Sequence, residues 1–264
     1  MTTRVAIHGA AGRMGRRLVA LGHADQDLQI AAALENAAHP ELGKDAGVLA
    51  GIGEIGVPLS STLSGDVDAV IDFSVPEATD EVLELCTSRK LALVMATTGH
   101  SEAQKDRLRA AAKQIPLVWA PSMSMAVNVT MKLVADAARA LKSNASGVDV
   151  EILERHHRFK EDSPSGTALK FGEIVAREMG LTGVTHGREG RPGARPRNEI
   201  GYHAIRTGDN PGEHTIVFGM LGETLELTVR ASNRDCYALG ALAAAKFVAG
   251  KPVGLYGMND VLGL

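Results

Sequence analysis

The stretch RVAIHGAAGRMG, residues 4–15, joins a short apolar run to a glycine-rich turn. The apolar residues 4–8 predict a buried strand, and RRLVALGHA, residues 16–24, has helical character. Glycines between a strand and a helix let the backbone approach a phosphate, which the helix dipole and the exposed amides then hold. This stretch therefore predicts the first strand, loop and helix of a dinucleotide-binding fold.

The glycine spacing fits the dinucleotide fingerprint with one replacement. Gly12 and Gly15 match the last two glycines of G-x-G-x-x-G, and Ala10 stands where the first would be. Counted from Gly9, the spacing is GxxGxxG. Glu35 ends the next apolar run 20 residues after Gly15, where an acid would accept hydrogen bonds from a ribose diol. The alternative is a structural glycine turn with a surface glutamate.

The residues that follow the second predicted strand bear on the choice between NADH and NADPH. A carboxylate at Glu35 repels a 2′-phosphate unless a cation intervenes, and the next residue is Asn36 rather than an arginine. Arg13, inside the glycine loop, could still reach such a phosphate. We therefore expect NADH as the cofactor, with NADPH as the alternative.

Further apolar runs alternate with helix-forming segments up to about residue 124. Strands that alternate with helices predict a parallel, doubly wound sheet. The strands are predicted at 28–35, 67–74, 91–99 and 115–122, and the later helices at 76–90 and 101–113.

After Ser124 the alternation ends. Residues 125–142 predict one long helix, and 182–198, rich in Gly, Pro and Arg, predicts a long loop. Three later runs joined by short glycine-containing turns predict mostly antiparallel strands. The other elements are predicted as a strand at 148–157, a helix at 165–180, the three strands in EIGYHAIRTG, EHTIVFGM and ETLELTVRAS, and a last helix at 235–250.

These patterns predict an α/β protein of two domains. Residues 1–124 predict a Rossmann-like dinucleotide-binding domain, and residues 125–234 predict a second α+β domain built on a mixed sheet. The residues alone do not assign the last helix to either domain.

Composition narrows the class of protein further. The 264 residues are 45% hydrophobic and 22% charged, which is typical of a globular protein, and the net charge of −3 provides no basic field for nucleic acid. No apolar run approaches the ~20 residues of a membrane span, and the chain enters a strand pattern without a signal-peptide layout, so we expect a cytoplasmic protein. Cys86 and Cys236 form neither a metal motif nor a disulfide framework and are expected to be inert thiols.

The segment ILERHHRFKEDSPSGTALKFGEIV begins at Ile152 and contains several polar and charged residues that could form a site. His156 and His157 precede Lys160, and in a loop the three side chains can converge on one pocket. The spacing matches no zinc motif, and the lysine would repel a cation, so no metal is expected. The remaining alternatives are a site for an anionic substrate and a solvated basic loop.

A helix start follows in the same segment. Ser165, Gly166 and Thr167 offer hydroxyls and free amides at the N-terminus of a predicted helix, which suits a carboxylate. The simpler interpretation is that Ser165 only caps the helix. A dinucleotide fold in the same chain favours the substrate site.

With these motifs the sequence resembles the family of bacterial 4-hydroxy-tetrahydrodipicolinate reductases, also called dihydrodipicolinate reductases. The resemblance rests on the run HHxxKxDxPSGTA and covers nearly the whole chain. It includes GAAGRMGR, IDFSVPE, ATTG, APSMSMAVN, IGYHAIRTGDNPGEHTIVF and the terminal GLYGMNDVLGL.

The resemblance implies an NADH- or NADPH-dependent oxidoreductase that reduces a cyclic unsaturated imine dicarboxylate in diaminopimelate and lysine synthesis. It implies a homotetramer, and it assigns residues 235–264 to the first domain. His156 is implied as the catalytic histidine and Lys160 as the catalytic acid. The implied substrate ligands are His157, Ser165, Gly166, Thr167 and Thr98. The cofactor shell predicted from the loop and the resemblance is Gly9, Ala10, Ala11, Gly12, Arg13, Met14, Gly15, Glu35, Asn36, Ala96, Thr97, Thr98, Ala120, Pro121, Ser122 and Met123.

Four positions depart from the family pattern and bear on cofactor preference. Ala96 replaces a glycine, Asn36 replaces a residue that is often basic, and Ser122-Met123 stand where Asn and Phe are common. Two other functions stay open from the residues. One is another Rossmann oxidoreductase, such as an amino-acid dehydrogenase acting on a dicarboxylate, and the other is a regulator that binds NAD(H) without chemistry.

Overall fold

The computed structural model describes residues 2–264 and confirms the predicted fold class. The chain divides into two compact units. The first consists of the residues up to Met125 together with Asp235–Leu264, and the second consists of Ala126–Arg234.

The first unit is built on a seven-stranded sheet in which all paired strands run parallel. The strands are β1 (Thr3–His8), β2 (Leu28–Leu34), β3 (Leu59–Ser60), β4 (Ala69–Asp72), β5 (Ala92–Met95), β6 (Pro116–Trp119) and, late in the chain, β12 (Gly254–Tyr256). Their order across the sheet is β12-β6-β5-β4-β1-β2-β3.

Helices cover both faces of this sheet, which is why its central strands are almost wholly apolar. Val5 and Ile7 pack into one core with α1 and α7, whereas Ala6 packs into the other with α3 and α4. The helices are α1 (Arg13–Ala24), α2 (Ala46–Ala50), α3 (Thr79–Arg89, preceded by a 3₁₀ turn at Pro76–Ala78), α4 (Glu102–Ala111), α7 (Asp235–Val248) and α8 (Met258–Leu262).

The strand order changes direction at β1. β2 and β3 lie on one side of it, and β4 and β5 lie on the other. Ligands of doubly wound sheets bind in the crevice outside the carboxyl ends of the strands at such a point. His8 and Asp72 are the last residues of β1 and β4 and are register partners, so they mark this crevice.

The second unit has a mixed sheet of five strands with two helices on one face. The central strand β7 pairs antiparallel with β10 and parallel with β9, so the order is β11-β10-β7-β9-β8. The elements are α5 (Met125–Leu141), β7 (Asp149–His156), α6 (Gly166–Met179), β8 (Gly183–His186), β9 (Glu199–Arg206), β10 (Glu213–Met220) and β11 (Glu223–Arg230).

Two predictions for the second unit are wrong in part. The segment 182–198 is not all loop, since it contains β8, whose half-exposed residues lack a strong apolar signal. The strands after residue 198 were predicted as mostly antiparallel, but β9 pairs parallel with both β7 and β8. Only β10 and β11 form the expected hairpin. Among residues 2–264, no helix is both long and apolar enough to cross a membrane.

Candidate active site

The glycine loop after β1 forms a backbone cradle that side chains would fill. Gly9 has φ +79°, which favours glycine, and a Cβ added there would lie 2.9 Å from the Phe73 carbonyl oxygen. A Cβ at Gly15 would lie 2.1 Å from the Gly9 carbonyl oxygen. Gly12 is the N-cap residue of α1, and no side chain caps this helix start. The uncapped amides at the helix start, and a loop backbone without side chains at Gly9 and Gly15, fit a dinucleotide pyrophosphate.

Glu35 lies directly beside this loop. One carboxylate oxygen accepts a hydrogen bond from the Ala11 amide at 3.1 Å, and the other accepts from the Asn36 amide at 3.1 Å. The Asn36 side chain is engaged in its own turn, where it accepts from the Ala38 amide at 2.8 Å. Arg13 is exposed at the start of α1. The structure therefore places Glu35, the residue predicted to bind the ribose, beside the glycine loop.

The other predicted cofactor residues divide into buried and accessible ones. The Thr97 hydroxyl donates to Asp72 at 2.6 Å and is buried, while its neighbour Thr98 is exposed. Met123 is 2% exposed and belongs to the core of the first unit, so its side chain packs rather than faces solvent. Ala96, Ala120 and Ser122 are also buried, and Pro121 is exposed.

In the second unit, β7 carries the polar chemistry on its core face. Every second residue of the strand lies on that face, and all four of these residues are buried: Val150, Ile152, Glu154 and His156. His156 Nδ1 lies 2.6 Å from Glu154 Oε2. With its Nδ1 proton directed at Glu154, the imidazole is left with Nε2 for a ligand.

Glu154 is held from three sides. Arg206, at the end of β9, donates to both carboxylate oxygens at 2.7 Å, and the Ser165 amide donates at 3.0 Å. Burial raises the pKa of Glu154, but the hydrogen bonds from His156, Arg206 and Ser165 outweigh it and lower the pKa to about 2. Glu154 is thus a permanent carboxylate that fixes the orientation of His156.

The start of α6 lies on the same network. Ser165 is the N-cap, and its hydroxyl accepts from the Ala168 amide at 3.2 Å and lies 3.0 Å from His214 Nε2. Burial and the charges of His156, Lys160 and Arg206 lower the pKa of His214 to about 4, although Glu154 opposes them. His214 is therefore neutral near pH 7. Gly166 is exposed and Thr167 is half-buried on the first turn.

Lys160 lies in the loop that joins β7 to α6. Its ammonium donates to Asp162 Oδ1 at 2.7 Å, and Arg206 donates to the backbone oxygen of Asp162 at 2.7 Å. The loop that carries the lysine is therefore tied to the same guanidinium that holds Glu154. His157 is half-buried, with its ring 6.3 Å from that of Phe159.

Five residues of these networks were not predicted as functional: Glu154, Asp162, Arg206, His214 and Asp72. Glu154 did carry a local signal, because it is a charged residue on the apolar face of an alternating strand. Arg206 and His214 carried none, since their partners lie 52 and 49 residues away on other strands or at a helix start. Within residues 2–264, no cluster of three or more His, Cys, Asp or Glu side chains is arranged to hold a metal ion.

A glycine cradle at the switch point of a parallel sheet defines a class of protein: those that bind a dinucleotide such as NADH or NADPH on a Rossmann-like unit. The family model described as "Dihydrodipicolinate reductase, N-terminus" matches residues 3–123, and "Dihydrodipicolinate reductase, C-terminus" matches residues 126–262. The chain belongs to the dihydrodipicolinate reductase family.

Similar proteins agree over the full length. A 4-hydroxy-tetrahydrodipicolinate reductase of Rhodopirellula baltica is 59% identical over 98% of this chain and 95% of its own. Another, from Alkalilimnicola ehrlichii, is 50% identical over 100% of both chains. Among solved structures, a dipicolinate-bound dihydrodipicolinate reductase from Paenisporosarcina sp. TG-14 is 25% identical, with a TM-score of 0.78 over 98% of this chain and 99% of that one.

The family membership confirms three predictions made from the sequence. The chain is an oxidoreductase, it acts on a cyclic imine dicarboxylate, and it uses NADH or NADPH. The function is that of a 4-hydroxy-tetrahydrodipicolinate reductase, in diaminopimelate and lysine synthesis.

Proposed function

We propose that the two units divide this reaction between them. Residues 1–124, with 235–264, hold the cofactor, and residues 125–234 hold the dicarboxylate and supply the proton. The observation that carries the proposal is the Glu154–His156 pair at the end of β7, one loop away from Lys160 and from the start of α6.

The dicarboxylate is bound by the loop and helix start of the second unit. Lys160 offers an ammonium, and the first turn of α6 offers amides and the Thr167 hydroxyl at the positive end of the helix dipole. The relative from Paenisporosarcina is described as bound to dipicolinate, a planar ring with two carboxylates. The same pattern of donors suits the ring dianion proposed here, and His157, Ser165, Gly166 and Thr98 complete the proposed ligand set.

His156 and Lys160 carry out the proton transfer to the substrate ring. When bound, the nicotinamide cofactor supplies a hydride to one ring carbon, and the adjacent carbon then needs a proton. Lys160 donates that proton from its ammonium, and His156, fixed through Nδ1 by Glu154, presents Nε2 to tune or return it. The product gains one hydride and one proton, which balances the two-electron reduction.

Cofactor preference is assigned to Glu35. Its carboxylate stands beside the glycine-loop amide of Ala11, where it suits a ribose diol and disfavours a 2′-phosphate. The Asn36 side chain is occupied by its own turn and adds no cation. NADH is therefore the preferred cofactor, and the shell around it consists of the loop residues 9–15, Glu35–Asn36, 96–98 and 120–123.

The second sheet supports the proposal of a homotetramer. Its inner face is covered by α5 and α6, while Leu153 and Ile205 on the opposite face are 37% and 42% exposed. These two apolar side chains lie on the open face among charged and polar ones such as Glu151, Arg155 and His203, and a mixed face of this kind suits pairing with a second copy. Light scattering should give four chains per particle, and Leu153→Lys with Ile205→Lys should give a smaller one. A cytoplasmic location is proposed from the biosynthetic role.

One coupled assay tests the function. The unstable substrate is generated in place, and oxidation of NADH is followed with and without this chain. Substrate-dependent NADH oxidation supports the reductase. Oxidation driven instead by a keto-dicarboxylate together with ammonium would favour an amino-acid dehydrogenase, and NADH binding without any turnover would favour a regulator.

A further inference from the structure

His8 and Asp72 form a buried pair at the switch point of the parallel sheet. His8 Nδ1 lies 2.6 Å from Asp72 Oδ1, and Asp72 is 0% exposed. The side chain of His8 is 12% exposed, and the residue directly precedes Gly9 of the cofactor loop. The pair therefore lies at the edge where a doubly wound sheet takes its ligand.

Asp72 also fixes the two loops beside this crevice. Its carboxylate accepts from the Ser74 hydroxyl and the Thr97 hydroxyl, both at 2.6 Å, and its backbone oxygen accepts from the amides of Ala96 and Thr97. The Ser74 amide in turn donates to the Thr97 hydroxyl at 2.9 Å. One buried carboxylate thus sets the positions of the loops after β4 and β5.

The net charge of the His8–Asp72 pair depends on whether His8 is protonated. Among residues 2–264, His8 is the hydrogen-bond partner of Asp72 that can carry a positive charge, since the others are hydroxyls and amides. If His8 is neutral, the negative charge of Asp72 stays uncompensated at the end of β4, at the edge of the sheet that must receive the anionic pyrophosphate of the cofactor. If His8 is protonated, the pair is neutral and the repulsion is removed.

The surroundings favour the charged form of His8. Burial lowers the pKa of His8, but the hydrogen bond and charge of Asp72 on β4 outweigh it, with help from Glu81 on α3 and Glu35 after β2, so the pKa is raised. The charged groups with the largest effects on His8 are therefore acidic. An anionic ligand bound above the pair adds to them and stabilises the imidazolium further.

We propose that His8 is a positioning residue whose protonated form neutralises Asp72 and strengthens the binding of NADH or NADPH, so that cofactor binding takes up a proton. This goes beyond the roles assigned to the glycine loop and Glu35, because His8 acts through Asp72 and the loops it holds. By linkage, the affinity for cofactor decreases as the pH rises through the pKa of His8 in the free enzyme.

The test is an equilibrium titration of the full chain with NADH, read by nucleotide fluorescence without substrate, from about pH 6 to about pH 9. The Kd of the wild type is expected to rise at least about fivefold across this range, the lower end of typical coupling between two ligands. His8→Gln keeps a hydrogen-bond donor to Asp72 but cannot be charged, so its Kd should be nearly independent of pH and match the high-pH wild type. His23→Leu, at an exposed position on α1, is the matched control and should follow the wild type.

Two measurements on the wild type alone make the outcome independent of how the variant folds. Calorimetry in two buffers of different ionisation heat should show proton uptake on NADH binding near neutral pH. Nuclear magnetic resonance should show the pKa of one histidine rising when NADH binds. A pH-independent Kd with no proton uptake in the wild type would overturn the proposal, as would an equal pH dependence in His8→Gln.

Discussion

Glu154 Oε2 lies 2.6 Å from His156 Nδ1, two residues further along the same face of β7. A carboxylate at that nitrogen favours the tautomer with the proton on Nδ1, leaves Nε2 available for the proposed contact with substrate, and stabilises an imidazolium. Arg206 and the Ser165 amide hold the carboxylate in turn, so His156 is oriented by groups from two strands and a helix start.

Replacing Glu154 by glutamine is expected to lower kcat by about 10²-fold, because the amide neither fixes the tautomer nor balances a charged imidazole. KM should change little, since Glu154 is proposed to act through His156 without touching the substrate. Steady-state kinetics at saturating NADH measures both. Glu151→Gln, on the opposite face of the same strand, is the matched control and should keep kcat within about twofold. A normal kcat in Glu154→Gln would remove its positioning role.

Thr167→Val tests the anion site. Pyridine-2,6-dicarboxylate should inhibit the wild type competitively, and loss of a hydroxyl that binds a charged group, worth about 1.5–3 kcal/mol, should weaken that inhibition about tenfold or more. NADH affinity should stay unchanged. Thr182→Val, at an exposed position after the same helix, should be inhibited like the wild type. Equal inhibition of both variants would place the dicarboxylate elsewhere.

The role of Glu35 predicts the cofactor ratio. We expect kcat/KM for NADH to be at least equal to that for NADPH, and Glu35→Gln to shift the ratio toward NADPH because it removes the charge that repels a 2′-phosphate. Both cofactors are compared at one ionic strength, since salt screens the effect. A wild-type preference for NADPH above about tenfold, or ~1.4 kcal/mol, contradicts the assignment.

Acid stability should reflect two glutamates of β7. Burial raises the pKa of Glu151, but Arg188, Arg195 and His203 outweigh it and lower the pKa to about 2, as the partners of Glu154 do for that residue. A carboxyl whose folded pKa is depressed stabilises the fold above its unfolded pKa, and that contribution is lost as the pH falls from about 4.5 toward 2.

Denaturant unfolding at a series of pH values should therefore show a steep loss of unfolding free energy below about pH 4.5. The loss should be smaller by roughly 1–3 kcal/mol in Glu154→Gln, which has no proton to gain. The variant is also expected to be less stable at neutral pH, because the Arg206 guanidinium loses its bidentate partner. An identical acid profile in the variant would show that Glu154 does not contribute.

Local signals in the sequence were enough to predict most of the strands and helices. The apolar runs at 4–8, 28–35 and 67–74 predicted parallel strands, because strands covered by helices on both faces are largely apolar. The sequence analysis missed β3, β12, α2 and α8, since these have only two, three, five and five residues and too few positions to establish a period.

The site was predictable only where its residues are close in sequence. His156, Lys160 and the start of α6 lie on one segment, so their proximity could be predicted from the order of the residues alone. The contacts of Glu154 with Arg206 and of Ser165 with His214 join strands whose pairing follows from the tertiary fold. No pattern within one segment indicates them.

The measurement that tests the central claim most directly is kcat at saturating substrate and NADH for His156→Ala, Lys160→Ala and the double variant, with NADH affinity measured alongside. If the two residues serve one proton-transfer step, each single variant should lose at least ~10²-fold in kcat. The double variant should then lose far less than the product of the two, with NADH affinity unchanged in all three. A near-normal kcat in both single variants, with only KM raised, would contradict the proton-transfer role and leave these residues as ligands of the substrate carboxylates.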